Sequence, residues 1–188
     1  MEKTLQNQTN LSRYDNSWYQ PGSGIKRLLW YLTSMVFINT YLPVPMAVKR
    51  QILKIFGARL GSSVILKPKV NIKYPWFLSI GDHTWIGEKV WIDNLTMVNI
   101  GSNVCLSQGC MLLTGNHDFT LSTFDLIVKP IRVENGAWIG ANATVCPGVT
   151  AGTHAVLTVN SVATRNMEPY GIYQGNPAAF VKKRDIIN

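Results

Sequence analysis

His117 is the side chain best placed in this sequence to do chemistry. It lies in Leu113-Thr114-Gly115-Asn116-His117-Asp118-Phe119, within a polar stretch that also carries Asp125 and Lys129. An imidazole there can take up and return a proton near neutral pH, since its ordinary pKa is about 6.5. The other two histidines, His83 and His154, stand 34 and 37 residues away. Three histidines with no close pair do not form the usual ligand set for zinc, and these two read as structural or solvent-facing. Cys105, Cys110 and Cys146 are odd in number and lack metal-ligand spacing, which makes them small buried side chains. No metal is expected.

The elements that must position His117 show themselves as a rhythm. Aliphatic residues recur every six positions through Leu60, Leu66, Ile72, Ile80, Ile86, Ile92, Ile100, Leu106, Leu112, Val133, Ile139, Val145, Ala151, Leu157 and Ala163. A second column, four residues further on, is small or β-branched from Val64 onward; only Trp76, Asn116 and Met167 depart. Gly often follows the aliphatic, as at Gly61, Gly81, Gly101 and Gly140, where a backbone must turn a corner. One inward aliphatic per six residues is the pattern of a parallel β-helix with three short strands per coil. Two units run eight residues, Ile72 to Ile80 and Ile92 to Ile100, and a third runs 21, Leu112 to Val133. All three follow the third unit of a coil, so every insertion leaves the same corner of the prism. His117 and the pair Asp93-Asn94, one coil lower, should therefore lie along one edge.

Residues 1 to about 24 form a polar arm with neither an apolar core nor a cleavage site of the secretory kind, which points to the cytoplasm. An apolar run from Leu28 to Leu42, ended by Pro43 and Pro45, predicts a helix too short to cross a bilayer. A second helix is expected over about Met46 to Phe56. The net charge of +8 resides in the N-terminal third, because no acidic residue occurs between Asp15 and Asp82. That segment favours an anionic neighbour. The two helices can pack on the main domain or a second subunit, or lie on a membrane. The expected divisions are 1–59 for arm and helices, 60–168 for the β-helix with its loop at 113–132, and 169–188 for a C-terminal cap and basic helix.

Residues 60 to about 182 resemble the hexapeptide-repeat acyltransferases, whose fold is a left-handed parallel β-helix. Trp138-Ile139-Gly140-Ala141, Pro147-Gly148-Val149-Thr150-Ala151-Gly152 and Gly175-Asn176-Pro177-Ala178 carry the likeness. Phe56-Gly57-Ala58, Tyr74-Pro75-Trp76, Ile80-Gly81-Asp82 and Thr114-Gly115-Asn116-His117-Asp118 resemble the colanic-acid-biosynthesis type of acetyltransferase. The resemblance implies a homotrimer with active sites between adjacent prisms, and acetyl transfer from acetyl-CoA to an acceptor hydroxyl. It gives His117 the catalytic position, Ala141 and Val159 backbone contacts to the pantetheine arm, and Thr164, Arg165 and Lys182 places near the nucleotide phosphates. Asp93-Asn94 falls near the acceptor. Position 87 is Gly where the galactoside and maltose enzymes carry an acceptor-binding Asn, so their sugar-binding scheme does not transfer. Ala179 replaces an Arg that some members use for CoA.

The expected reaction is O-acetylation of a sugar hydroxyl on an exopolysaccharide or oligosaccharide precursor, with His117 as general base. The acid-free N-terminal third suits a lipid-linked acceptor at the inner membrane face; nucleic acid is not an expected partner. An amino-sugar or sugar-nucleotide N-acetyltransferase is the alternative, since an amine acceptor also needs a base. A carbonic anhydrase of the same fold would need a convergent histidine trio, and a bare trimeric scaffold would not need the His117 loop.

Overall fold

A computed structural model describes residues 8–187; residues 1–7 of the expected arm and Asn188 lie outside it. The six-residue rhythm becomes three parallel sheets that form the sides of a prism. The first side stacks Arg59–Leu60, Leu78–Ile80, Val98–Ile100, Ile131–Val133 and Thr150–Ala151. The second runs from Ile65–Leu66 through Trp85–Ile86, Cys105–Leu106, Trp138–Ile139 and Val156–Leu157. The third stacks Asn71–Ile72, Trp91–Asp93, Met111–Leu113, Thr144–Val145 and Val162–Ala163. Register follows the aliphatic column, with Leu66, Ile86, Leu106, Ile139 and Leu157 directly above one another. All members of the column except the half-buried Leu60 are buried. Two-residue strands bury little alone, so stacking supplies the continuous core.

The second column needs one adjustment. Across the eight-residue units the buried partner is Leu78 or Val98, two residues before the next aliphatic, while Trp76 and Thr96 are half-buried. The extra residues therefore precede the inward residue, at the corner between the third and first sides. Corner backbone groups are met by a ladder of side chains: Asp82 accepts from Ser62 N–H, Ser102 Oγ from Asp82 N–H and Asn135 Oδ1 from Ser102 N–H. His83 and His154 occupy corners at φ of 54° and 57°, which makes them structural turn residues.

Helix α1 spans Gly24–Phe37 and is capped by the Ser23 side chain, which accepts from Lys26 N–H. It ends five residues before Leu42, because Asn39 N–H turns back to Ser34 O and Thr40 Oγ1 takes the Leu42 N–H. Buried Trp30 donates Nε1–H to Ile72 O at 2.9 Å, which fixes α1 to the first coil. Helix α2 spans Met46–Ile55. Gly57, at φ 101°, turns the chain so that Ala58 N–H reaches Leu53 O.

The expected basic C-terminal helix is absent. Gly171–Gly175 adds to the second side beside Val156–Leu157, and Ala178–Lys183 folds back antiparallel on it. Asn176-Pro177 turns the chain between them, and an exposed sheet edge gives the returning segment partners that an isolated six-residue helix would lack.

Candidate active site

The longest insertion is a hairpin and not an irregular loop. Gly115–His117 pairs antiparallel with Leu126–Val128, placing His117 opposite Leu126. Thr114 ties the hairpin base to the coil below through N–H and Oγ1 bonds to Asp93 O. Gly115 lets the hairpin base pass close to Leu95, whose Cδ1 would have to move aside for a Cβ there. At the tip Asp118 accepts from Thr120 N–H and Oγ1, which holds its carboxyl below the usual carboxylate range.

His117 Nδ1 lies 2.9 Å from Phe124 O. A carbonyl only accepts, so Nδ1 carries the hydrogen, and in the neutral imidazole Nε2 is the nitrogen with the lone pair. The Phe124 ring stacks on the imidazole at 4.4 Å and 8°, fixing the ring plane. Phe124 adopts φ 56°, a left-handed conformation uncommon for an aromatic residue, and that turn aims its carbonyl at His117. Asp118, adjacent in sequence, bonds within the tip and does not orient the imidazole. Lys129 packs toward Gly148 and is not among the residues lining the cavity beside His117.

That cavity, about 710 Å³, is lined by His117, Asn116, Gly115 and Leu95 on the prism side and by Lys73, Tyr74 and Asp93 below. Asp93 pairs with Lys73 at 2.9 Å. Asn94 turns out to be structural: it is 0% exposed and makes both amide bonds to the Tyr74 backbone, at 3.0 and 2.6 Å. Burial puts its amide out of reach of an acceptor, and of the pair only Asp93 lines the cavity.

The rest of the cavity comes from the N-terminal arm, which the sequence pattern presents only as a polar tail. Asn10 N–H bonds to Ser122 O, Tyr14 stands 5.7 Å from the imidazole, and Tyr19 donates to Leu95 O. Burial raises the pKa of the Tyr19 phenol, with the neighbouring Tyr74 and Asp93 adding to the shift, so it stays a donor. Pro21 O accepts from Trp76 Nε1–H, and Arg27 closes the wall. The signal for this was the aromatic trio Tyr14, Trp18 and Tyr19 in an otherwise polar segment.

The remaining candidates are spread out. Ala141 and Val159 sit in successive turns between the second and third sides, where Asn160 N–H bonds to Ala141 O. Thr164 and Arg165 line a separate cavity of about 380 Å³ with Tyr173 and Pro177–Phe180. Lys182 is exposed on the terminal strand opposite Ile172 and does not line that cavity. Burial pushes the Cys110 thiol up to about 12, which excludes it as a thiolate. Among the described residues no three His, Cys, Asp or Glu side chains are grouped to hold a metal ion.

The described residues thus form a three-sided solenoid with a histidine-bearing hairpin at one corner. No family model matches the chain. It is 31% identical over 166 residues to the putative colanic acid biosynthesis acetyltransferase WcaF of Escherichia coli, covering 88% of this chain and 91% of that protein. Among solved structures it superimposes on the hexapeptide-repeat-containing acetyltransferase VCA0836 of Vibrio cholerae with a TM-score of 0.78 and 25% identity, covering 86% and 92% of the two chains. A galactoside acetyltransferase in complex with coenzyme A gives a TM-score of 0.77 and 25% identity over 86% and 82%. The chain belongs to the hexapeptide-repeat acetyltransferases, on the left-handed β-helix fold, and is an acyltransferase.

Proposed function

We propose that the protein is an acetyl-CoA-dependent O-acetyltransferase acting on a sugar hydroxyl of an exopolysaccharide or oligosaccharide precursor. The carrying observation is the Nδ1–H bond to Phe124 O, which leaves Nε2 of a neutral imidazole as the base. Nε2 removes the acceptor hydroxyl proton as the oxygen attacks the thioester carbonyl. The tetrahedral oxyanion collapses, expels the CoA thiolate, and the imidazolium returns the proton to sulfur. Base assistance of this kind contributes roughly 100- to 10,000-fold. The Phe124 carbonyl dipole also favours the transient imidazolium.

A sugar acceptor is supported by relatives named for colanic acid biosynthesis and as a galactoside O-acetyltransferase. Asp93, held by Lys73, is the carboxylate that would accept from acceptor hydroxyls. Ala141 and Val159 would meet the pantetheine arm, and Thr164, Arg165 and Lys182 the nucleotide phosphates. Within one chain Ala141 and Val159 occupy a different corner from His117. A homotrimer with each site between two prisms removes that separation, and outward Trp85, Trp91 and Trp138 give the prism sides an apolar surface for it.

The test is an acceptor screen with labelled acetyl-CoA over sugars, sugar nucleotides and lipid-linked glycans, followed by hydroxylamine treatment. Label in a hydroxylamine-labile ester is the expected result. Label only in a stable amide would replace this reading with N-acetylation.

A further inference from the structure

We infer that the outward face of α1 docks in the surface of an anionic phospholipid bilayer. The helix is turned opposite to the usual arrangement. Its inward stripe is Trp30 and Ser34, continued by Ile38 past the helix end, whereas its outward face carries Ile25, Leu28, Leu29, Leu32, Met35 and Val36. Ile25 is 75% exposed and Leu28 58%, with Tyr31 beside them and Tyr41 and Leu42 exposed beyond the helix end. A surface helix ordinarily turns such residues inward. Here the basic residues are the ones drawn aside: Lys26 lies over the Trp76 ring and Arg27 lines the cavity wall.

The helix has 14 residues, about 21 Å at 1.5 Å per residue, against a hydrocarbon core of about 30 Å. No helix among the described residues is long and apolar enough to cross a membrane, so α1 would lie in the interface plane.

Charge selects the occupant. Exposed Lys26, Arg27, Lys54, Arg59 and Lys67 belong to the same first-coil end, and none pairs with a carboxylate among the described residues. With no acid from residue 16 to 81, a two-fold contact of this face with itself would set like charge against like. An anionic bilayer complements both the apolar face and its basic flank. The groove beneath α1, lined by Tyr31, Met35, Trp91 and Asp93, shares Arg27, Lys73, Tyr74 and Asp93 with the His117 cavity. The site thus opens beside the docked helix. This placement rests on the α1 face and is independent of which acceptor is acetylated.

The test is flotation of the full chain with phosphatidylcholine vesicles, with and without about one-third phosphatidylglycerol, at low salt and at about 0.5 M salt, where screening is strong. The expected result is flotation with anionic vesicles, weakened by salt and about tenfold lower with neutral ones. Leu28→Glu with Leu32→Glu should abolish it while the thermal melt and transfer to a soluble acceptor persist. Absence of flotation of the unsubstituted protein overturns the proposal by itself, whatever the variant does. So does a folded variant that floats as well as the original, or one whose oligomeric mass falls without vesicles, which would assign α1 to a contact between copies.

Discussion

His117 Nδ1 donates to the carbonyl of Phe124, seven residues on and across the hairpin tip, at 2.9 Å. That one bond selects the tautomer and exposes Nε2. Replacing His117 with Ala should lower kcat about 100-fold or more, within the range for loss of a general base. Acetyl-CoA binding by calorimetry should be little changed, since no CoA contact is assigned to the hairpin. Turnover within a few-fold of the original enzyme would remove His117 from the reaction.

Phe124 acts through His117 and is a positioning residue. Phe124→Asn keeps a carbonyl at 124 and a residue tolerant of φ near 56°, but loses the ring stacked at 4.4 Å. A looser imidazole should lower kcat about tenfold with KM for acetyl-CoA nearly constant, a smaller loss than removing the base. Equal kinetics for this variant and the original would show that the carbonyl alone orients the ring.

Asp93 and Asn94 are neighbours with separable roles. Asn94→Ala leaves the Tyr74 N–H without a partner at a corner, while Tyr74 O keeps only its bond from Phe77 N–H. At about 1–3 kcal/mol for one unsatisfied group, urea denaturation should show a loss of about that size. Asp93→Asn keeps the shape at the cavity wall and should instead raise the acceptor KM with little change in the urea midpoint. The opposite pattern would reverse the two assignments.

The prism was legible in the sequence because its cause is local and repeated. Each coil needs an inward aliphatic at the same place, so Leu66, Ile86 and Leu106 announce their stacking without knowledge of distant contacts. The corner carrying the insertions followed by counting. What could not be counted was anything decided by a partner elsewhere in the chain. Asn94 looked like a ligand-facing amide until Tyr74 took both its bonds. The C-terminal segment became a strand because the second side offered an edge. The arm at Tyr14 and Tyr19 is ordered by Ser122 and Leu95, which no local pattern reveals. Phe124 was invisible as the orienting group because its contribution is a backbone carbonyl.

Acid should loosen the hairpin tip before it affects the prism. Asp118 accepts two bonds from Thr120, which lower its folded-state pKa. A depressed carboxylate pKa gives stability that is fully present above the unfolded value, about 3.9, and is lost as pH falls through the folded value. Amide exchange at Thr120 and Leu121 should therefore accelerate as pH is lowered below about 4, after correction for intrinsic rates. Thr120→Val removes the hydroxyl bond and should move the midpoint of that loss upward. An unmoved midpoint would mean that the backbone N–H alone sets the Asp118 titration.

Close stacking at the corners makes Gly140 a direct test of the coil geometry. A Cβ there would stand 2.7 Å from Val159 N and 2.8 Å from Leu157 O, both backbone atoms of the next coil. Strands in a sheet lie about 4.8 Å apart, which leaves no room for a methyl between successive corners. Gly140→Ala must therefore push apart the coils that Ile139 and Leu157 hold in register, opening the core at its most buried level. The expected outcome is a loss of about 3 kcal/mol or more, or failure to accumulate as folded protein, comparable to severe overpacking. A melting temperature within a few degrees of the original would show that the coils can separate locally, and that the backbone contact at this corner is not what keeps them in register.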